Sequence, residues 1–359
     1  MKKEIIVKTV ARLFPQLWKR HKENLALLLL ALSLELRVGI AVLGRAFAVK
    51  TAIKHAIKRV DRFFSNQHFD DEQARRQHLQ NVIGPRQRVL ICVDWTNVRQ
   101  WPVLVAAMVW RGRAIPILWA VQDPAEIYKS RNWFENAFFA LLRSSLPAGV
   151  KVVLLLDRGF SRMNLAPYLQ RLGFEYVTRI CGKVHVRSAG FNGPVEKLAR
   201  RGQLADLKDC QVRKSRWVRT RVVAYWGPGQ KEPWFLVTNV RVSPQLVLSY
   251  YHKRFRIEEC FRDQKCWRFG LALGGLRMLK AQRLERMLLV VAIYYFLALV
   301  VGGRARRLGL DRYFRANTGK KITMHSDFTL GKYYLRKLTE SPINFLEDFY
   351  AERLPIFWG

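Results

Sequence analysis

The stretch RVLICVD, Arg88 to Asp94, decides the fold. Five apolar residues in unbroken succession, with no polar alternation, read as a short strand buried on both faces and ending in an aspartate. Outward from it, Val103 to Trp110 and Ala114 to Val121 are two further strands, joined by a tight turn of Arg111, Gly112 and Arg113. Asn132 to Leu146 has helical spacing, Lys151 to Leu156 is a second buried strand ending in Asp157, Asn164 to Leu172 is helical, and Phe174 to Arg179 is extended.

Three antiparallel strands, then helix, strand, helix, strand, is similar to the order of the RNase H-like α/β fold. That fold sets its first and fourth strands side by side and parallel at the centre of the sheet, so Asp94 and Asp157 are expected to emerge next to each other. Either aspartate alone is commonplace, because loops at strand ends favour Asp for turn chemistry.

A third carboxylate is sought downstream. Cys181 to about Val242 is broken into alternating stretches such as WVRTRVVAYW (Trp217–Trp226), separated by Gly and Pro, and reads as a β-rich insertion. A long helix is expected from Leu246 to about Trp267, containing YHKRFRIEECFRDQK from Tyr251 to Lys265. On one continuous helix Tyr251, Arg254, Glu258 and Lys265, at offsets of 0, 3, 7 and 14, share an arc of about 60°. Glu259 and Asp263 point elsewhere, which selects Glu258; a salt-bridged surface stripe is the plain alternative.

Tyr251, two residues, Arg254, three residues, Glu258, six residues and Lys265 resembles the signature of the insertion-sequence family-four DDE transposases. The likeness extends over about Leu25 to Val301 and includes VDWT (Val93–Thr96) and DRGF (Asp157–Phe160). It implies that Asp94, Asp157 and Glu258 bind two Mg2+ ions, with Mn2+ able to substitute, and catalyse in-line displacement at phosphorus. It also implies that Tyr251, Arg254 and Lys265 clamp DNA phosphates. Members that excise through a DNA hairpin stack a flipped base on a Trp; Trp234 in PWFLVTN lies in the matching segment, supported by Phe255. The plain reading of Trp234 is a core strand residue. His185 and His252 are given no role. The expected partners are double-stranded DNA, as terminal inverted repeats and target, and a second copy of the chain in the synaptic complex.

Composition agrees with a polyanionic partner. Lys and Arg number 63 against 27 Asp and Glu, a net charge of +36 that is spread along the chain, and nucleic acid or an anionic membrane surface would answer it. A ribosomal or chromatin-like protein would rarely carry 11 Trp and 21 Phe in 359 residues. Five cysteines without a CxxC pair or zinc spacing read as reduced thiols of a cytoplasmic protein. Leu25 to Leu34 is apolar but lacks a cleavage pattern, so a core helix suits it better than a signal peptide. Met287 to Gly303 runs 17 positions without a charge and approaches the span of a bilayer, but it has no clear charge sidedness and reads better as a helix buried on all sides.

The expected organisation is a helical DNA-end-binding domain over 1–70, a linker over 71–86, a catalytic core over 87–180 and 244–305 interrupted by the insertion at 181–243, and a basic tail over 306–359 that contacts DNA or a second copy. In the first of these, Ile53, Ala56, Ile57, Val60 and Phe64 form one face of a helix and Lys54, Lys58, Arg59 and Arg62 the other, which suits DNA as well as it suits a solvated surface. Two rivals remain open: an RNase H-like structure-selective nuclease, which would share the carboxylates but not the Tyr, Arg and Lys positions, and an inactive DNA-binding transposase remnant.

Overall fold

The computed structural model describes residues 2–47, 51–162, 164–213, 217–278, 280–314, 325–337 and 341–351. Five helices precede the sheet: α1 (Lys2–Leu13), α2 (Lys19–Glu35), α3 (Ile40–Ala46), α4 (Ile53–Ser65) and α5 (Asp71–Ile83). Leu36 in the left-handed conformation (φ 53) stops α2, and α3 departs from it at 94°. The fifth helix corrects the linker expected over 71–86. Asp70 caps it by accepting the Gln73 N–H at 2.9 Å, Asp71 and Glu72 favour the positive end of its dipole, and Ala74, His78, Leu79, Val82 and Ile83 are buried. Its polar Gln and Arg face hid that apolar stripe.

β1 (Arg88–Val98), β2 (Trp101–Trp110) and β3 (Arg113–Val121) form the antiparallel meander, followed by α6 (Ile127–Ser145), β4 (Lys151–Leu156), α7 (Leu165–Arg171) and β5 (Glu175–Arg179). Then come β6 (His185–Ser188), β7 (Phe191–Pro194), β8 (Leu204–Arg213), β9 (Trp217–Tyr225) and β10 (Trp234–Thr238). One ten-stranded sheet results, in the order β3-β2-β1-β4-β5-β10-β9-β8-β6-β7. β1 pairs with β4 and β4 with β5 in parallel; the other strand pairs are antiparallel. The mixed sheet is consistent with the RNase H-like order. The β-rich segment continues the sheet, because β10 hydrogen-bonds along β5.

The expected long helix over 246–267 is two helices, α8 (Pro244–Lys253) and α9 (Arg256–Lys265). At the joint the Arg254, Phe255, Ile257 and Glu258 N–H groups each bond the carbonyl three residues back, so the chain tightens for about one turn before the α-helix resumes. An arc computed at 100° per residue does not carry across that break.

α10 (Ala281–Arg307) is the long apolar helix, and 94% of its most apolar stretch is buried within the protein. Its side chains join those of α2, α4, α5 and one face of the sheet in a single contiguous core; α2, α4 and α5 pack on α10, α5 also on β3, and α1 and α3 pack on those helices. Part of the expected basic tail is folded: α11 (Asp327–Arg336) lies on α10, and α12 (Leu346–Ala351) follows. Gly302 and Gly331 permit the first contact, since a Cβ at either would lie within 1.8 Å of a carbonyl oxygen on the other helix. Residues 315–324, 338–340 and 352–359 of that tail lie outside the described residues.

Candidate active site

Side chains on a strand alternate between faces. Leu90 and Cys92 of β1, with Val153 and Leu155 of β4, pack against Val247, Tyr251 and Ile257 of α8 and α9, whereas Val89, Ile91, Val93, Leu154 and Leu156 face the larger core. Asp94 and Asp157 continue the first set, and so belong to the face that α8 and α9 cover. Val93 pairs with Leu156, which places the two aspartates one residue beyond the same register position.

One expectation about them is corrected. Asp94 does not end its strand: β1 stays paired with β2 as far as Val98 opposite Trp101. Only its parallel pairing with β4 stops, at Val93, so Asp94 lies where the sheet opens beside it. The alternation of WTNV with WPVL across the tight Arg99–Gln100 turn, with Arg99 at φ 54, sustains this hairpin.

Asp157 follows β4 and caps a single 3-10 turn, its Oδ1 accepting the Gly159 N–H at 2.8 Å. A Cβ at Gly159 would approach that oxygen to 2.9 Å, so the DRGF sequence needs its glycine for close approach.

Glu258, in the first turn of α9, completes the group through Arg254. One guanidinium nitrogen of Arg254 lies 3.4 Å from Asp94 Oδ2 and the other donates to Glu258 Oε1 at 2.8 Å. Arg254 is buried and Glu258 half-exposed. Burial pushes the Asp94 carboxyl up to about 6; the negative charges of Asp157 and Glu258 add to this, while Arg254 and the Trp95 N–H oppose it. Lys265, at the end of α9, donates to Thr96 Oγ1 of β1, and burial lowers its pKa. Tyr251 is buried against Arg254, and burial raises its phenol.

Trp234 opens β10 and is partly buried. Its ring meets Tyr251 edge-on at 4.9 Å and lies 6.2 Å from Phe255 at 31°, while the Arg254 guanidinium sits 4.3 Å from the Phe255 ring. His252, given no role from sequence, belongs to the same cluster, 6.4 Å from Trp234. Sequence spacing missed it because its partner Trp234 lies on β10, a tertiary contact that the helix pattern does not encode.

Lys54, Lys58, Arg59 and Arg62 are all exposed on α4. They are remote in sequence from the carboxylates, and only Arg59 and Arg62 of the four line an open cleft of about 1210 Å³ with Trp18, Lys19 and Arg20. Arg59 is bonded to Asn24 and Arg62 to the Lys58 carbonyl. The expected apolar face of α4 is partly corrected: Ala56, Val60, Phe63 and Phe64 are buried and Ile57 partly so, but Ile53, the first residue of the helix, is exposed.

Glu135 was not anticipated. It is 1% exposed on α6, accepts the Trp95 indole N–H at 3.0 Å, and pairs with Arg131 at 3.0 Å and Arg162 at 3.4 Å. It thereby ties α6 to the residue after Asp94 and to the chain after Asp157. Its signal was a carboxylate at an inward position, three, four and seven residues before Phe138, Phe139 and Leu142.

Fold and site together define a mixed α/β domain with an acidic group at the centre of its sheet. Residues 85–297, more than half of the chain, match the family described as Transposase DDE domain, and the chain belongs to that family. It is therefore a transposase, and DNA is the partner that such a domain implies. No curated protein matches the chain.

Proposed function

We propose that this transposase binds the terminal inverted repeats of an insertion sequence of family four, cuts DNA at the element ends and joins the 3′ ends to target DNA by cut-and-paste transfer. The observation that carries the reading is the convergence of Asp94 and Glu258 on one buried arginine, with Asp157 close enough for its charge to raise the Asp94 carboxyl. Tyr251, Arg254, Glu258 and Lys265 keep company around that point despite the broken helix.

The donor set suits hard divalent cations. Asp94, Asp157 and Glu258 offer only carboxylate oxygens, and their mutual repulsion calls for positive charge. Among the described residues no three His, Cys, Asp or Glu side chains form a group that could hold a metal ion as they stand. Arg254 spans Asp94 and Glu258, and Glu258 is exposed enough to turn from it toward the aspartates. Two Mg2+ ions bound there would activate an attacking water or 3′-hydroxyl and neutralise charge on the leaving oxygen.

The chain's own residues position the DNA. Arg254, whose terminal nitrogens hold Asp94 and Glu258, can pass its fork to a phosphate oxygen once those carboxylates turn to cations. Lys265, held by Thr96, adds a cation on the same side. Trp234 and Phe255 present an aromatic cluster on which a flipped terminal base can stack, offsetting the few kcal/mol that unstacking costs. Lys54, Lys58, Arg59 and Arg62 of α4 serve end recognition, two copies pair the ends in a synaptic complex, and the protein acts in the cytoplasm.

The test is incubation with labelled element-end DNA and a target plasmid, with and without Mg2+, for wild type and Glu258→Ala. Cutting and joining by wild type alone supports the proposal. Cutting without joining favours a structure-selective nuclease, and binding without either identifies an inactive DNA-binding remnant.

A further inference from the structure

A second cationic site lies at the outer part of the sheet, lined by Cys181, Lys183, Val184, His185, Arg187, Asn192, Arg213 and Trp217 around a cleft of about 580 Å³. We propose that this cleft is a phosphate clamp for the DNA that leads away from the carboxylates, with Arg187, Arg213 and Lys183 as its cations. The inference rests on the transposase reading above and adds to it a site in the β-rich segment.

The clamp is organised by Trp217. The guanidinium of Arg187 lies 5.4 Å and that of Arg213 5.7 Å from its ring, and His185 meets the ring edge-on at 5.9 Å. The imidazole is fixed in turn by a 2.8 Å hydrogen bond between its Nε2 and the side-chain amide oxygen of Asn192. Backbone pairing sets the geometry: His185 is opposite Arg213, and Arg213 opposite Trp217, across three neighbouring strands. Two long side chains that would otherwise sample many rotamers are thus held against one aromatic surface, which lowers the entropy lost when they grip an anion.

Among the described residues, no carboxylate lines the cleft. Among the described residues neither Arg187, Arg213 nor Lys183 has an ion-pair partner, and all three are exposed. Arginines close by are spent differently: Arg219 pairs with Asp209 and Arg221 with Asp206. Three unneutralised cations converge on one concavity, which disfavours the free protein and favours a ligand carrying several negative charges.

Position identifies that ligand as DNA already held at the active site. Leu156, just before Asp157, pairs with Thr178, just before Arg179, and Lys183 lies four residues beyond Arg179. Four extended residues reach at most about 14 Å. Lys183 of the cleft is therefore within about 20 Å of Asp157, or about six base pairs along B-form DNA at 3.4 Å each, and Arg213 and Arg187 follow one and two strands further out from β9.

The full-length protein is titrated into a labelled 40-base-pair duplex of arbitrary sequence over a series of salt concentrations. Arg187→Gln/Arg213→Gln is expected to bind roughly tenfold more weakly and to lower the slope of log affinity against log salt by about 2, one unit per lost phosphate contact. Lys183→Gln, on a loop, should lower it by about 1. Arg219→Gln, which removes a charge already paired on the same sheet, should leave the slope at the wild-type value. Each variant is accepted once its melting temperature matches wild type, and the exposed positions make that the expected result. If wild type binds and the cleft variants match Arg219→Gln, the clamp is refuted and the transposase reading stands. If wild type binds no DNA at all, both fall.

Discussion

Arg286 shows how the N-terminal helices are locked to the sheet. It is 1% exposed on α10 and meets both carboxylate oxygens of Asp71, at 2.8 and 2.5 Å, while its remaining terminal nitrogen donates to the Phe63 carbonyl at 2.6 Å. Phe69 flanks the guanidinium at 4.8 Å. One side chain thus joins α10 to the end of α4 and the start of α5. Asp71→Leu leaves a desolvated guanidinium without its counter-ion, a loss of about 3–5 kcal/mol. Arg286→Met in the wild-type background strands the carboxylate and should cost slightly less, because Asp71 is nearer the surface. The double variant replaces the pair with apolar groups and should lie within about 1–2 kcal/mol of wild type, giving a coupling of at least about 2 kcal/mol. Urea unfolding followed by tryptophan fluorescence measures all four proteins. A loss below 1 kcal/mol for Asp71→Leu, or additive losses in the double variant, would refute the reasoning.

Three other outcomes are expected. Burial holds His78 near pKa 4 against an ordinary 6.5, with its ring N–H donating to the Pro116 carbonyl, so the unfolded chain binds the extra proton between those values and stability rises with pH across that window. Wild type should therefore lose about 2.5 kcal/mol more than His78→Gln between pH 7 and pH 4.5, measured by urea unfolding; equal losses would count against it. Gly302→Ala forces a Cβ into the Asp327 carbonyl and should destabilise by at least about 2 kcal/mol, visible as a lower melting temperature, with no change meaning that α11 does not pack as described. Glu135→Leu leaves the Trp95 N–H and Arg162 facing an apolar side chain and should cost about 3 kcal/mol; retention of the wild-type melting temperature would remove Glu135 from the framework of the site.

The central sheet was legible because RVLICV and KVVLLL are apolar on both faces, which a strand between two layers requires, and because the turn at Arg111–Arg113 is short. The neighbourhood of Asp94 and Asp157 followed from the likeness of that order to the RNase H-like fold. The α8–α9 joint was not legible: the sequence YHKRFRIEE has no Gly or Pro at Arg254–Phe255, and the tightening comes from tertiary packing of Tyr251 and Ile257 into the sheet face. Trp234, His252 and Phe255 meet where β10 packs on the end of α8 and the joint after it, a tertiary contact that no local pattern encodes. Helix α5 was hidden by its polar composition, and the pairing of Arg286 with Asp71, which adds to the apolar core in tying the N-terminal helices to α10, joins residues 215 positions apart.

The proposal that Asp94, Asp157 and Glu258 form one cation site is tested most directly by iron-mediated backbone cleavage. Fe2+ in place of Mg2+, with ascorbate and hydrogen peroxide, generates radicals that cut the chain wherever the ion is held. The expected result is cleavage beside all three positions, suppressed by excess Mg2+ and lost in Asp94→Asn. Cuts confined to other segments, or a pattern unchanged in Asp94→Asn, would contradict the account.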